Sequence, residues 1–268
     1  MADVLSVPPL ISEPYGFFFD FDGTLAELQP LPDQVALLTE RRRLLARLQI
    51  ISEGAVALIS GRSLAELDTL TAPLCFALGG VHGAERRDIN GQLSTVTLPP
   101  PLMVQLRAQL QALCLRFPGT FLEEKGMAFA VHYRGAEQAG PAVYQATAAI
   151  AQPHPELALQ PGKCVVEIRP AGVSKGHALA QFLTEPPFKG RRPLFIGDDI
   201  TDESAFEVVN QRGGISIKVG EGDTLAHYRL NSVTAVYLWL ARVVTRLEKA
   251  STGVTVKGVG YEPFSGSL

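Results

Sequence analysis

Phe17-Phe18-Phe19-Asp20-Phe21-Asp22-Gly23-Thr24-Leu25 decides how this chain is read. Residues 15–21 are apolar up to an aspartate, which predicts a strand covered on both faces, as in a parallel sheet. An ionised aspartate at the end of such a strand is costly unless something pairs with it. The C-terminal edge of parallel strands is also where open α/β sheets bind ligands. Asp22 lies two residues on and shares that pocket, and Gly23 permits the tight turn that follows. The spacing fits covalent phosphoryl chemistry. Asp20 attacks phosphorus and becomes an aspartyl-phosphate. Asp22 protonates the leaving oxygen and then takes a proton from the hydrolytic water. The same string also caps turns or opens calcium loops. The calcium reading loses weight because the twelfth position counted from Asp20 is Leu31, where that loop needs a glutamate.

Working outward, residues 41–48 have helical spacing, and 55–59 form a second apolar run ending in Ser60-Gly61-Arg62. Ser63 and Glu66 make a capping-box signature for the next helix, and 74–78 predict a third strand. Towards the other end, 193–196 predict a strand ahead of Gly197, 201–210 a helix, 215–219 a strand and 233–247 a final helix. Strand, loop and helix in repetition predict an α/β core with a doubly wound, Rossmann-like parallel sheet. The middle differs. Strands are expected at 92–98, 119–125, 127–133 and 163–169, with helices at 101–116 and 136–151. That β-α-β-β-α-β order suits a small sandwich. The expected division is therefore a core of residues 1–89 and 171–268 with an inserted α/β cap domain at 90–170. Pro99-Pro100-Pro101 and Arg169-Pro170-Ala171-Gly172 serve as hinges. The tail after Lys249, rich in Gly, Ser and Thr, is expected to be loosely ordered.

The totals exclude several classes. Among 268 residues, 46% are hydrophobic and 19% charged, enough to bury a core. A net charge of -3 supplies no global field for nucleic acid or an anionic membrane. Cys75, Cys114 and Cys164 lack metal-knuckle spacing and read as reduced thiols of a cytoplasmic protein. The first basic residue is Arg41, so the charged start of a signal peptide is missing. No apolar run approaches the ~20 residues of a membrane span. A monomer acting on a small molecule is expected.

Gly197-Asp198-Asp199-Ile200-Thr201-Asp202-Glu203 again sets acids at a strand end. Magnesium prefers oxygen ligands and keeps several waters, so one or two carboxylates suffice. Asp198 is the first choice, beside Asp20 and the main-chain carbonyl of Asp22. Asp199 and Asp202 stand behind it, and Asp202 can orient a lysine. Acids there also favour a helix N-terminus, a reading that holds for Glu203 in particular. So many anionic groups need cations besides the metal. Lys175, at a helix start, can span nucleophile and phosphoryl group, and Ser60 can donate its hydroxyl to a phosphate oxygen.

Asp20-x-Asp22-Gly23-Thr24, Ser60, Lys175 and Gly197-Asp198-Asp199-x-x-Asp202 together resemble the four signature motifs of the haloacid dehalogenase superfamily. In that superfamily the first aspartate is the nucleophile and the second marks the phosphatases; the related cation-pumping ATPases carry threonine there. Five further segments resemble the trehalose-6-phosphate phosphatase family in its short bacterial form. They are Leu58-Ile59-Ser60-Gly61-Arg62, Gly80-Val81-His82-Gly83-Ala84-Glu85, Glu123-x-Lys125-Gly126, Val165-Val166-Glu167-Ile168 and the segment 197–203. The likeness runs from about residue 15 to 247. It implies a magnesium-dependent phosphatase completing trehalose biosynthesis, with a cap inserted after the third core strand and Glu123, Lys125 and Glu167 on the sugar. Periodicity supports charged faces there: Glu123 and Lys125 share one, and Lys163, Glu167 and Arg169 share another, opposite Cys164, Val166 and Ile168. Arg62 and His82 are expected to touch substrate, with Arg86 beside them at the mouth between cap and core. Three rivals stand: a phosphohexose mutase, a phosphatase of another sugar phosphate such as sucrose phosphate, and a non-catalytic binding protein.

Overall fold

Two sheets that share no strand organise the chain, in a computed structural model that describes residues 6–13, 15–29, 31, 34–125, 127–162 and 164–255. The larger sheet contains β1 (Tyr15–Phe19), β2 (Val56–Ile59), β3 (Ala77–Gly80), β4 (Glu85–Arg87), β5 (Leu93–Thr95), β10 (Arg192–Gly197), β11 (Ile215–Val219) and β12 (Tyr228–Leu230). Their spatial order is β12-β11-β10-β1-β2-β3-β4-β5, and only the β3–β4 and β4–β5 pairs are antiparallel. β1 is buried along its whole length because helices cover both faces. Phe17 and Phe19 pack with Leu45 and Leu48 of α1 (Thr39–Ile51) and with Val236 and Leu240 of α7 (Val233–Thr255). Phe18 points the other way, as strand alternation requires. It meets Leu179 and Phe182 of α5 (Lys175–Phe182) and the cluster containing Phe206 of α6 (Glu203–Gln211). The Ser63–Glu66 capping box forms at the start of α2 (Leu64–Thr71).

The smaller sheet is antiparallel, in the order β6-β7-β9-β8: β6 (Phe121–Lys125), β7 (Ala128–His132), β9 (Val165–Pro170) and β8 (Leu157–Gly162). One face packs on α3 (Pro100–Arg116) and α4 (Gly140–Ala151), with Leu106, Leu110, Val143, Phe129, Val131, Val166 and Ile168 in one apolar cluster.

Several expectations change. The strand expected at 92–98 within the insert shortens to β5 and pairs with β4 in the larger sheet. The smaller sheet is completed instead by β8, whose Pro161 and Gly162 hid it in the sequence. The third core strand begins at Ala77, because Leu74 is still hydrogen-bonded in the turn after α2. α7 extends beyond Lys249 to Thr255, so the first part of the expected loose tail is helical; residues 256–268 lie outside those described. Among the described residues, no helix is long and apolar enough to cross a membrane.

Candidate active site

β1 and β10 are parallel neighbours with Phe19 opposite Ile196, so their C-terminal ends deliver Asp20 and Asp198 to one edge. The Asp20 amide continues the ladder by donating to the Ile196 carbonyl at 2.9 Å. Lys175 is the first residue of α5, a helix capped by Ser174, whose hydroxyl accepts the His177 amide. Its ammonium is buried and donates to Asp20 Oδ1 and Asp202 Oδ1, each at 2.7 Å. The second oxygen of Asp202 accepts the amides of Asp198 and Asp199, both at 2.9 Å. Asp202 therefore braces the Asp198–Asp199 loop and holds the Lys175 ammonium. Asp199 caps the 3-10 turn that follows and accepts the Ile200 amide.

Two glycines are required by close approach. A Cβ on Gly23, at φ +80°, would stand 2.1 Å from Asp198 Oδ2, and one on Gly197 would stand 2.3 Å from the Asp202 carboxyl carbon. Thr24 donates to Asp198 Oδ1 at 3.3 Å. Lys218, the buried lysine of β11, donates to the main-chain carbonyl of Asp198. The sequence reading missed Lys218, although a lysine inside the apolar run Ile215-Ser216-Ile217-Lys218-Val219 is itself a signal.

Burial pushes the Asp20 carboxyl up to about 7; Lys175 opposes the rise and Asp198 adds to it. Asp202 is likewise raised to about 7, by burial and then by Asp20. Asp198 is raised, again chiefly by burial. Burial alone would lower Lys175, but Asp20 and Asp202 outweigh it and hold the ammonium above its ordinary range. The site is thus short of positive charge. Oxygens of Asp20, Asp198 and Asp202 lie within 4.8 Å of one another. A close set of oxygen donors that burial makes costly to ionise fits a hard divalent cation such as Mg2+.

An open cleft gathers Asp20, Asp22, Ser60, Arg62, Lys175 and Asp198. Ser60 stands at the end of β2, where its amide donates to the Gly79 carbonyl. Arg62 engages Asp22 as a fork, Nε to Oδ2 at 2.6 Å and Nη2 to Oδ1 at 2.7 Å. Val81 and His82 occupy the left-handed region, at φ 47° and 56°. Bonds from the Val81 amide to the Arg62 carbonyl and from the His82 amide to the Ser60 carbonyl hold them there.

On the smaller sheet, Glu123 lies opposite Ala130, Ala130 opposite Glu167 and Glu167 opposite Gln160. Directly opposed residues share a face, so the two glutamates stand on one face, two strands apart. Lys125 lies opposite Ala128 in β6, and Lys163 is outside the described residues. Glu123 meets His132 at 2.8 Å. A second, smaller pocket lies between the sheets. Gly61, His82, Met127, Glu167 and Arg169 help line it, and Gly61 and His82 also line the catalytic cleft. Glu167 reaches this junction, whereas Glu123 lines neither cavity. Arg86 is not at the mouth. It sits in β4, grips Glu185 at 2.7 and 2.8 Å and lies over the Phe182 ring, tying β4 to α5.

The family model described as trehalose-phosphatase matches residues 18–234. The chain is 49% identical over 268 residues to the trehalose-6-phosphate phosphatase of Escherichia coli (strain K12), covering 100% of each. It is 42% identical over 219 residues to a probable trehalose-phosphate phosphatase of Sinorhizobium fredii, covering 81% of this chain and 82% of the other. Among solved structures, crystal form 3 of Aspergillus fumigatus trehalose-6-phosphate phosphatase superposes with a TM-score of 0.71 at 23% identity, over 87% of this chain and 93% of that one. A haloacid dehalogenase-like hydrolase from B. subtilis gives 0.62 at 14%, over 87% and 99%. At such identities these two speak for the fold.

Proposed function

The chain belongs to the trehalose-phosphatase family, and from that membership we propose that it hydrolyses trehalose 6-phosphate to trehalose and phosphate, the closing step of trehalose biosynthesis. Asp20 is the nucleophile. It attacks phosphorus in line, the bond from phosphorus to the sugar oxygen breaks, and an aspartyl-phosphate forms. Asp22 gives its proton to the departing oxygen, then takes one from the water that frees phosphate. Lys175 and Ser60 hold the phosphoryl oxygens, so that catalysis is mostly placement and charge stabilisation. Asp20, Asp198 and the Asp22 carbonyl would hold Mg2+, which when bound neutralises phosphoryl charge. Asp199 and Asp202 support the loop. Arg62, His82, Glu123, Lys125 and Glu167 read the substrate, the last three from an inserted cap that excludes bulk water when it closes. We assign to this cap the smaller sheet with α3 and α4, and we place the enzyme in the cytoplasm as a monomer.

The observation that carries the reading is the buried bridge from Asp20 through Lys175 to Asp202, in the cleft that also holds Asp22 and Ser60. The test is phosphate release from trehalose 6-phosphate, sucrose 6-phosphate, glucose 6-phosphate and an aryl phosphate, each with magnesium and with chelator. Magnesium-dependent release favouring trehalose 6-phosphate is expected. Preference for another sugar phosphate would discard the substrate, and isomer formation with little phosphate release would replace hydrolase by mutase.

A further inference from the structure

The pocket between the sheets has an arginine in its wall. Arg169, on β9, lines this space, and its Nε is buried without a hydrogen-bond partner among the described residues. Burial lowers the Arg169 pKa, with Glu167 opposing, yet a guanidinium keeps its charge. An unsatisfied buried donor is costly and calls for an explanation. The rest of the lining defines that ligand. Val81, Ala84, Met127 and Val173 pack as a small apolar cluster, while His82 and Glu167 supply polar atoms. A mixed wall of this kind suits a pyranose ring, whose faces are C–H and whose edges are hydroxyl. Gly61 and His82 line both this pocket and the catalytic cleft, and none of the cleft's carboxylates lines the pocket. It therefore lies beside the cleft that gathers Asp20 and Lys175.

We propose that Arg169 is a specificity-determining residue that donates to oxygens of the sugar portion of the substrate in this second cavity. The proposal rests on the hydrolase reading above and adds a charged donor to it. An arginine fork on a sugar oxygen discriminates sharply, because a ligand lacking that oxygen leaves the donor unpaired. Arg169 touches no reacting atom, so its contribution belongs to substrate binding rather than to the chemical step.

The experiment compares wild type, Arg169→Met and Arg169→Lys on trehalose 6-phosphate and on a small aryl phosphate. Wild type is measured first; if it released no phosphate from the disaccharide, the hydrolase reading itself would fall. With wild type active, R169M is expected to raise KM for trehalose 6-phosphate about ten- to hundredfold, with kcat within about twofold. Aryl phosphate turnover should stay unchanged, and R169K should recover part of the loss. Equal losses on both substrates, or an unchanged KM for the disaccharide, would overturn the proposal. If R169M melts far below wild type, R169K alone decides by the same selective rise in KM.

Discussion

The catalytic edge of the larger sheet and the polar face of the smaller one both carry charge, but they arrange it differently. At the catalytic edge, parallel strands converge from distant parts of the sequence, and each acid is tied to another group. Asp20 and Asp202 share Lys175, Asp202 holds two amides of the Asp198 loop, and Lys218 and Thr24 hold Asp198. On the smaller sheet, pairing register alone sets the spacing of Glu123 and Glu167, and Glu123 is half exposed beside His132. The first arrangement builds one cooperative unit, while the second presents separate contacts that can be lost singly. Chemistry needs the former, because its groups act on the same atoms. Recognition tolerates the latter, because hydroxyls lie apart.

Substitutions measure how far this contrast holds. Asp20→Asn removes the proposed nucleophile and should cut turnover by at least about 10⁴-fold. Melting should move by only a few degrees, since Lys175 keeps Asp202. Appreciable phosphate release by this variant would break the assignment of Asp20. Lys175→Met leaves Asp20 and Asp202 buried without their cation. It should cost about 3–5 kcal/mol in denaturant unfolding, the usual penalty for halving a buried ion pair. A loss below about 1 kcal/mol would mean that the acids relax independently and the unit is not cooperative. Glu167→Ala should lower kcat/KM for trehalose 6-phosphate about ten- to hundredfold and spare an aryl phosphate. Equal damage to both substrates would join the smaller sheet to the chemical step and erase the contrast.

The smallest effect expected is at the α2 cap. Glu66 is held below its ordinary pKa by the Ser63 hydroxyl and amide, so its contribution is present above about pH 4.5 and lost as pH falls. Its side chain is half exposed, so Glu66→Gln should cost only about 0.5 kcal/mol at pH 7. Wild type and variant should converge in stability near pH 3; a gap that persists there would make the effect one of packing.

The same contrast governs what the sequence displayed. Strands covered on both faces are continuous apolar runs, so β1, β2, β10 and β11 were legible, and so were the acids that end β1 and β10. Lys175 was legible as a lysine just after a helix cap. β4 was not, because all three of its residues are charged and each is satisfied elsewhere: Glu85 accepts the Leu64 amide, Arg86 grips Glu185 and Arg87 grips Asp68. That pairing also drew Arg86 from the mouth where its loop-like context had put it. β12 is only three residues long, too short for any period to show. Periodicity separated the charges of β6 from those of β9. Only the register through Ala130 reveals that they share one face, and pairing between distant strands is not written in a local pattern.

The two sheets share no strand, and the smaller one buries an apolar cluster of its own. For a lineage of such proteins this means two clocks. Side chains on the polar face of β6 and β9 take no part in the Asp20–Lys175–Asp202 hydrogen bonds. Single side chains on that face can therefore change while the Asp20–Lys175–Asp202 hydrogen bonds stay as they are.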